Sequence, residues 1–187
     1  MRYYKLVYDY ENDDNYVNCD IANIGNMNEY ITSNGKVIDK WDEVVFKYDS
    51  SEGNVLTDCL ANVYRWFVVS DDFRKYTDDI IGEQVQYLPV TIVDKRTKAE
   101  ISTYCVANIV TLVDALDLEN SKYDIFELDD EKIISVEKYV LKQNKILKWN
   151  IFRLKGDTIP IFASELVKNV IEDKGLLGFR FLEVDIN

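Results

Sequence analysis

The amino-acid sequence predicts an α+β protein with a mostly antiparallel sheet and a few short helices. Segments typical of β-strands outnumber segments typical of helices, and short polar turns connect several of them. Two of the predicted helices begin at a serine that is followed at once by an acidic residue, which is typical of a helix N-terminus. The chain has 187 residues, which fits one domain or two closely joined halves.

Nine segments have the composition of β-strands, with β-branched and aromatic residues in short apolar runs or alternating patterns. In chain order they are residues 2–10, 43–48, 66–69, 85–93, 100–110, 132–141, 148–154, 159–163 and 178–184. Residues 21–30 are ambiguous, residues 94–98 form a polar turn, and Asn34-Gly35 is typical of a hairpin turn. Pro89 lies within a predicted strand, so we expect an edge strand or a position that needs no N–H donor.

Three helices are predicted from apolar spacing and capping residues. The first is a short helix over residues 55–63, whose apolar residues recur at i, i+4 and i+7. The other two begin after Ser70 and Ser164, which we expect to act as N-caps. Gly175 is placed to end the last helix in the left-handed conformation. The apolar residues of these two helices are Phe73, Tyr76, Ile80 and Ile81 in the first, and Leu166, Val167, Val170 and Ile171 in the second.

The two longer helices and their flanking strands align with one another at an offset of 94 residues. The alignment places residues 67–71 on 161–165 and residues 87–90 on 181–184. Both passages read as a strand, a serine, an acidic residue, a helix and a second strand. An internal β-α-β duplication accounts for this match, and so does the helix-capping pattern that unrelated proteins share.

The composition argues against several classes of function. The chain has no histidine, which excludes an imidazole base in a catalytic triad and histidine ligands for zinc or haem. The 34 acidic residues against 22 Lys and Arg give a net charge of −12, which argues against a nucleic-acid binder and favours a basic protein partner. Cys19, Cys59 and Cys105 are odd in number and widely spaced, so we expect buried thiols in a reducing cytoplasm.

Neither a signal segment nor a membrane span is expected, because the longest apolar runs are only a few residues long. Glycine-rich phosphate-binding loops and the nucleophile-elbow motif are also absent from the sequence, and we expect no cofactor and no enzymatic activity. Two carboxylates that meet only on folding leave no trace in a sequence. A carboxylate- or metal-dependent hydrolase is therefore kept as an alternative, as is a structural or assembly protein.

The charges are distributed unevenly along the chain. Residues 6–35 contain six acids and no Lys or Arg, and residues 114–131 contain eight acids and one Lys, whereas residues 138–155 contain six bases and no acid. Solvated loops and strand faces account for such runs, and so does an acidic, tyrosine-bearing surface that docks a basic protein. The second interpretation predicts partner contacts at Asp13, Asp14, Tyr16 and Asp20, and a second patch at Asp129 and Asp130.

Several segments match a known family in their order and spacing. They are Asp58 with residues 66–73, residues 87–90, residues 104–108 with 114–117 and Ser121, residues 151–153, residues 161–166 and residues 175–181. Over roughly residues 41–185, the chain resembles an immunity-protein family of bacterial polymorphic toxin systems. The resemblance implies a cytoplasmic antitoxin that is encoded beside a toxin and neutralises it by binding and occlusion. It supplies no catalytic residues.

The resemblance also implies a division of the chain. We expect residues 41–187 to form an immunity-type α+β domain, and residues 1–40, which match nothing in the family, to form an N-terminal strand or hairpin region packed on it. The oligomeric state is left open.

Overall fold

Strands account for most of the regular structure in a computed structural model that describes residues 1–9, 14–128 and 131–187. The strands are β1 Tyr3–Tyr8, β2 Asn18–Cys19, β3 Ile21–Asn23, β4 Val45–Tyr48, β5 Cys59–Asn62, β6 Val68–Ser70, β7 Val85–Asp94, β8 Glu100–Ile109, β9 Leu112–Val113, β10 Lys122–Leu128, β11 Glu131–Lys138, β12 Val140–Leu141, β13 Ile151–Leu154, β14 Asp157–Ser164, β15 Phe179–Glu183 and β16 Asp185–Ile186. The α-helices are α1 Asp71–Ile81, α2 Gln143–Ile146 and α3 Glu165–Asp173. Short 3-10 turns lie at Ile31–Ser33 and Gly82–Gln84.

Two mostly antiparallel sheets organise the fold, which confirms the predicted class. The larger has seven strands in the order β2-β5-β6-β8-β7-β4-β3, and only its β2–β5 and β4–β7 pairs are parallel. The smaller has five strands in the order β15-β1-β14-β13-β9, with one parallel pair between β13 and β9. The β10–β11 hairpin and the β12–β16 pair form separate two-stranded sheets.

The same strand–helix–strand topology occurs once in each large sheet. Helix α1 joins β6 to β7, and these strands flank β8; helix α3 joins β14 to β15, and these strands flank β1. In both units the outer strands run antiparallel to the strand between them, and the two helices contact one another. Ser70 (φ −72°, ψ 163°) and Ser164 (φ −73°, ψ 162°) have nearly the same backbone conformation. The two passages that align in sequence thus share one topology.

The main core lies where the two helices meet both sheets. Phe73 of α1 stacks on Phe179 with ring centroids 5.4 Å apart, and its edge meets Phe67 at the same distance. Val167 and Ile171 of α3 are buried in the same cluster. Phe73, Ile81, Val167 and Ile171 therefore face inward as predicted, whereas Leu166 is 50% exposed, so its place on the buried side of α3 is wrong. Full burial of a large apolar side chain contributes roughly 1.5–3 kcal/mol.

The N-cap predicted at Ser70 is confirmed, and Asp58 extends it. The Ser70 hydroxyl accepts the Phe73 N–H at 3.1 Å and donates to Asp58 Oδ1 at 2.6 Å. The second carboxylate oxygen of Asp58 accepts the Leu177 N–H at 2.9 Å. Asp58 therefore ties β5, the start of α1 and the loop before β15 together.

The cap predicted at Ser164 is wrong in its chemistry. Ser164 occupies the N-cap position of α3, but its hydroxyl donates to Asn150 Oδ1 at 2.9 Å and does not cap the helix. The partly buried side chain of Asn150, in the loop before β13, takes this hydroxyl instead, and nothing in the sequence shows that the two residues meet. The other end follows the prediction, because Gly175 has a φ of +67° and the Leu176 N–H bonds to the Ile171 carbonyl.

The helix predicted over residues 55–63 is wrong, since this segment contains strand β5. Leu60 is fully buried between β2 and β6, whereas Val63 is half exposed. The apolar residues at helical spacing therefore do not share one buried side. Strand pairing with Cys59↔Val69 and Leu60↔Val68 determines the local conformation. Tertiary pairing of this kind overrides a short periodic pattern.

The hairpin predicted at Asn34-Gly35 is also wrong. Gly35 does turn the chain with a φ of +63°, but Ile31–Ser33 before it forms a 3-10 turn and residues 36–44 after it contain no strand. Pro89 lies in β7, which is not an edge strand, so the expectation of a position that needs no N–H donor applies. The pairing of β7 with β4 starts two residues later, at Thr91. Among the described residues, no helix is long and apolar enough to cross a membrane.

Candidate functional site

A cleft of about 290 Å³ opens beside β2 and β5, and five of the fourteen described residues that line it are acidic. Its carboxylates and tyrosines are Asp9, Asp14, Asp20, Asp49, Glu52, Tyr8 and Tyr16. In the parts of the chain that the structure describes, no Lys or Arg belongs to this lining. Carboxylates grouped in a concave surface concentrate negative potential. We call this surface the acidic cleft.

Backbone hydrogen bonds bring two distant segments together at the cleft. The Asn15 carbonyl accepts the N–H groups of Asn54 and Val55, each at 2.9 Å, and the Val17 N–H returns a bond of 2.9 Å to the Val55 carbonyl. Tyr16 and Val55 form a parallel bridge between these bonds. The residues from 14 to 20 and from 49 to 55 therefore lie side by side and form two walls of the cleft, although corresponding positions are about 35 residues apart in the sequence.

The carboxylates on these walls differ in their partners. Asp20 pairs with Lys95 at 2.9 Å, and both side chains are partly exposed. Asp49 accepts the Ser51 hydroxyl at 2.6 Å and the Ser51 N–H at 3.0 Å, and these bonds lower the pKa of the Asp49 carboxyl. Asp14 and Glu52 are exposed and form no ion pair with a described residue. Asp14 and Glu52 are thus the carboxylates best placed to meet a cation from outside.

Asp94, the last residue of β7, holds the second wall in place together with the turn that follows it. Its carboxylate accepts the Arg96 N–H at 3.0 Å, the Thr97 hydroxyl at 2.7 Å and the Ser50 N–H at 3.4 Å. The bond from the Arg96 N–H is the main reason that the pKa of the Asp94 carboxyl lies well below its usual range. The next residue, Lys95, reaches Asp20, so this one turn supports both walls of the acidic cleft.

The bonds to Asp94 predict a specific pH dependence. A carboxyl whose folded pKa is lowered stabilises the protein above its ordinary pKa of about 3.9, and this contribution is lost as the pH falls from there toward the folded value. Asp94→Asn should therefore lower the thermal midpoint at neutral pH, and the difference from wild type should shrink below about pH 4. Asp79→Asn, an exposed position on α1, is the control and should show a small, constant difference. Parallel curves for wild type and Asp94→Asn would contradict the assignment.

The structure places three of the six predicted contact residues at this cleft. Asp14, Tyr16 and Asp20 line it together. Asp13, Asp129 and Asp130 lie outside the described residues. Whether any of the six contacts a partner stays a prediction.

Sequence reasoning missed Asp49 and Glu52, which belong to the second wall. The segment from 49 to 53 reads as a polar turn, with two serines and a glycine between or beside the acids. That composition signals a turn but carries no information about the segment it lies beside. The parallel Tyr16–Val55 bridge, which connects residues about forty positions apart, decides that placement.

The described residues contain neither a metal-ligand cluster nor an activated thiol. No group of three or more His, Cys, Asp or Glu side chains among them is arranged to hold a metal ion. Cys19, Cys59 and Cys105 are free and buried, as expected. Burial raises the pKa of the Cys19 and Cys105 thiols to about 12 and that of Cys59 well above its ordinary value, so all three remain protonated at neutral pH.

Comparison with known families decides the class of protein. A family model matches residues 3–185 of the chain, and its description is the immunity protein family Imm11. The chain belongs to the Imm11 immunity protein family. No curated protein matches it significantly. The resemblance noted in the sequence is confirmed, and the match also covers residues 3–40, which we expected to match nothing in the family.

Membership of the Imm11 family implies an immunity role, which is the neutralisation of a toxin, and suggests a non-enzymatic function. The segments that carry the resemblance meet in the structure as parts of the scaffold. Asp58 and Ser70 belong to one of these segments and Leu177 to another, and the hydrogen bonds of Asp58 join them. In this Imm11 protein the bonds of Asp58 therefore join parts of the scaffold, whereas Asp14 and Glu52 are exposed at the acidic cleft.

Proposed function

We propose that this immunity protein binds its cognate toxin through the acidic cleft and neutralises it by occluding the toxin's functional surface. The observation that carries the proposal is the grouping of Asp14, Asp20, Asp49 and Glu52 around one concave surface, with no Lys or Arg in its described lining. The toxin surface that fits it is basic. The protein acts in the cytoplasm as a binding partner of a polymorphic toxin and catalyses no reaction.

The charges support fast and selective association. With a net charge of −12, the protein attracts basic proteins at long range, and the cleft concentrates that attraction at one place. Each exposed ion pair contributes at most about 1 kcal/mol. Occlusion therefore needs apolar contacts as well, and the tyrosines Tyr8 and Tyr16 in the lining supply aromatic surface of the kind that is enriched at interfaces.

Charge reversal within the cleft tests the proposal. Asp14→Lys combined with Glu52→Lys should slow association with the toxin encoded beside this chain by at least about tenfold at low salt, because the steering field is weakened and a like charge faces the toxin. The difference should shrink at about 0.5 M salt, where charges are screened beyond a few ångströms. Stopped-flow or surface-plasmon measurements at several salt concentrations give the rate.

The matched control is Asp79→Lys combined with Asp173→Lys. It makes the same change in net charge on exposed helix positions that do not line the cleft. We expect its association rate to stay within about threefold of wild type. Equal slowing by both double variants would show that only net charge matters, and that result would remove the cleft as the binding surface.

A further inference from the structure

A second cavity, of about 380 Å³, lies at the junction of the two large sheets. Its wall combines the turn between β5 and β6 with the β13–β14 hairpin. The residues that carry the argument are Tyr30, Tyr64, Arg65, Trp66, Arg153 and Ile159. We call it the junction cavity. It is distinct from the acidic cleft, because the two share no lining residue.

Arg153 is a buried cation in this wall whose counter-charge is missing among the described residues. Arg153 is only 3% exposed, and its Nη1 donates to the carbonyl oxygens of Thr158 and Ile159. Its Nε is buried and has no hydrogen-bond partner in the described structure, and no described carboxylate forms an ion pair with it. Burial lowers the pKa of Arg153 to about 10, so the guanidinium remains charged at neutral pH. A buried charge without a partner is unfavourable, and an incoming carboxylate would compensate it.

Arg65 supplies a second cation at a fixed position on the rim. Its φ of +55° lies in the left-handed region, which is unfavourable for a residue other than glycine. Asn62 holds this turn: its carbonyl accepts the Arg65 N–H and its side chain bonds to both the N–H and the carbonyl of Trp66. The turn is therefore rigid, and it presents the exposed Arg65 side chain beside the cavity that Arg153 lines.

Apolar side chains surround the two arginines on the outside. Val63, Tyr30 and Ile159 are 53%, 58% and 63% exposed, so all three leave apolar surface in solvent beside the same cavity. A neighbouring cavity of about 330 Å³ shares Arg65 and Ile159 with the junction cavity and adds Lys5. In the described lining of the two cavities there are three cations and one acid, Glu29, although the whole chain carries a net charge of −12.

We propose that the junction cavity binds the carboxylate of a Glu or Asp side chain from a partner polypeptide, between Arg65 and Arg153. Guanidinium groups recognise carboxylates through paired N–H donors, which gives the contact both strength and orientation. Apolar residues on either side of that carboxylate cover Val63 and Ile159. That the partner is the toxin rests on the proposed function. The preference of the junction cavity for a carboxylate does not depend on it.

Two short peptides test the preference directly on the full-length protein. The probe is acetyl-Leu-Glu-Leu-amide, and its matched control is acetyl-Leu-Gln-Leu-amide, which has nearly the same shape without the charge. Titration is followed by nuclear magnetic resonance of the arginine Nε–Hε groups. We expect the Glu peptide to shift the Arg65 and Arg153 signals saturably, and the Gln peptide to bind at least about tenfold more weakly.

Two substitutions assign the site. Arg65→Gln should weaken binding of the Glu peptide by about tenfold, because it removes one of the two cations. Arg96→Gln, at an exposed position outside both cavities, should leave binding unchanged. Since the exposed Arg65 side chain has no structural partner among the described residues, its variant is expected to fold, and the test does not depend on a variant of Arg153.

The outcomes separate this proposal from the proposed function. Equal binding of the two peptides would mean that the cavity is only an apolar groove. Equal shifts with inorganic phosphate would mean that it binds anions in general. Either result, or Arg65 and Arg153 signals that do not shift, would overturn the proposal. Because the assay contains no toxin, its result does not depend on the acidic cleft. Conversely, Asp14→Lys with Glu52→Lys should leave peptide binding intact, so each proposal can fail alone.

Discussion

Substitution of Gly178 by alanine should destabilise the protein by about 3 kcal/mol or more, the combined effect of backbone strain and overpacking. Gly178 has a φ of +88°, and a Cβ atom at this position would lie 2.4 Å from the Cys59 carbonyl oxygen and 2.7 Å from the Thr57 hydroxyl. The crowding atom is a backbone oxygen within β5, which cannot move aside without disturbing the sheet. Urea denaturation followed by circular dichroism measures the loss.

Gly156→Ala is the matched control for this prediction. Gly156 has a similar φ of +85°, but apart from Gly156 and its two chain neighbours no described residue has an atom within 4 Å of the position that a Cβ would occupy. Its substitution should cost only the conformational strain, about 1–2 kcal/mol. Similar losses for the two variants would show that the close approach of Gly178 to β5 does not constrain the fold.

The effect of Gly178→Ala should also reach the acidic cleft. The Gly178 carbonyl accepts the Asp9 N–H at 3.2 Å, and Gly178 itself belongs to the lining of the cleft. A shift of this loop would move the wall that carries Asp9 relative to β5. We therefore expect Gly178→Ala to bind the toxin more weakly than Gly156→Ala does. The affinities are measured at a temperature where both variants are folded, so that a loss of folded protein does not account for the difference.

Trp66→Ala should destabilise the protein by about 3–5 kcal/mol, the usual range for removal of a buried large aromatic side chain. Trp66 is only 2% exposed and contacts the rings of Trp41, Phe46 and Tyr64, with centroids 5.5–6.0 Å apart. Its indole N–H donates to the Glu29 carbonyl at 2.6 Å, which connects the core to the segment before the 3-10 turn. The free energy of unfolding in urea gives the size of the effect.

Two further variants separate the contributions at this position. Trp66→Phe keeps an aromatic ring but loses the indole N–H, so the Glu29 carbonyl loses its donor and we expect an intermediate loss of about 1–3 kcal/mol. Val63→Ala, in the same turn but half exposed, should change stability by no more than about 0.5 kcal/mol. A loss from Val63→Ala as large as that from Trp66→Ala would mean that the turn, and not the aromatic cluster, governs stability here.

Local sequence patterns correctly predicted the helix ends and strands that are determined by residues close to them in the sequence. Ser70 caps α1, and Gly175 ends α3, because the atoms that satisfy these helix ends come from the same few residues. The strands around residues 85–110 were predicted for a similar reason, since a polar turn connects two apolar runs that pair with one another. The alignment of two passages at an offset of 94 residues also corresponds to a topology that occurs twice.

The predictions failed where a distant neighbour decided the outcome. The segment 55–63 has helical spacing, but pairing with β6 makes it a strand. Ser164 has the right neighbours for a cap, but the Asn150 side chain takes its hydroxyl. Arg153 was counted in a basic run over residues 138–155, yet it is buried at the sheet junction, while Lys138 of the same run pairs with Asp185 at 2.7 Å.

The sequence by itself determined the α+β class, the family, the capping serine at Ser70 and an excess of acid in residues 6–35. Only the tertiary structure decided that Asp14 and Asp20 share one cleft with Asp49 and Glu52, and that Arg65 and Arg153 share one cavity. The physical reason is the range of the interactions. Turn and cap preferences act within a few residues, whereas a binding surface is formed by side chains that strand pairing brings together from distant parts of the chain.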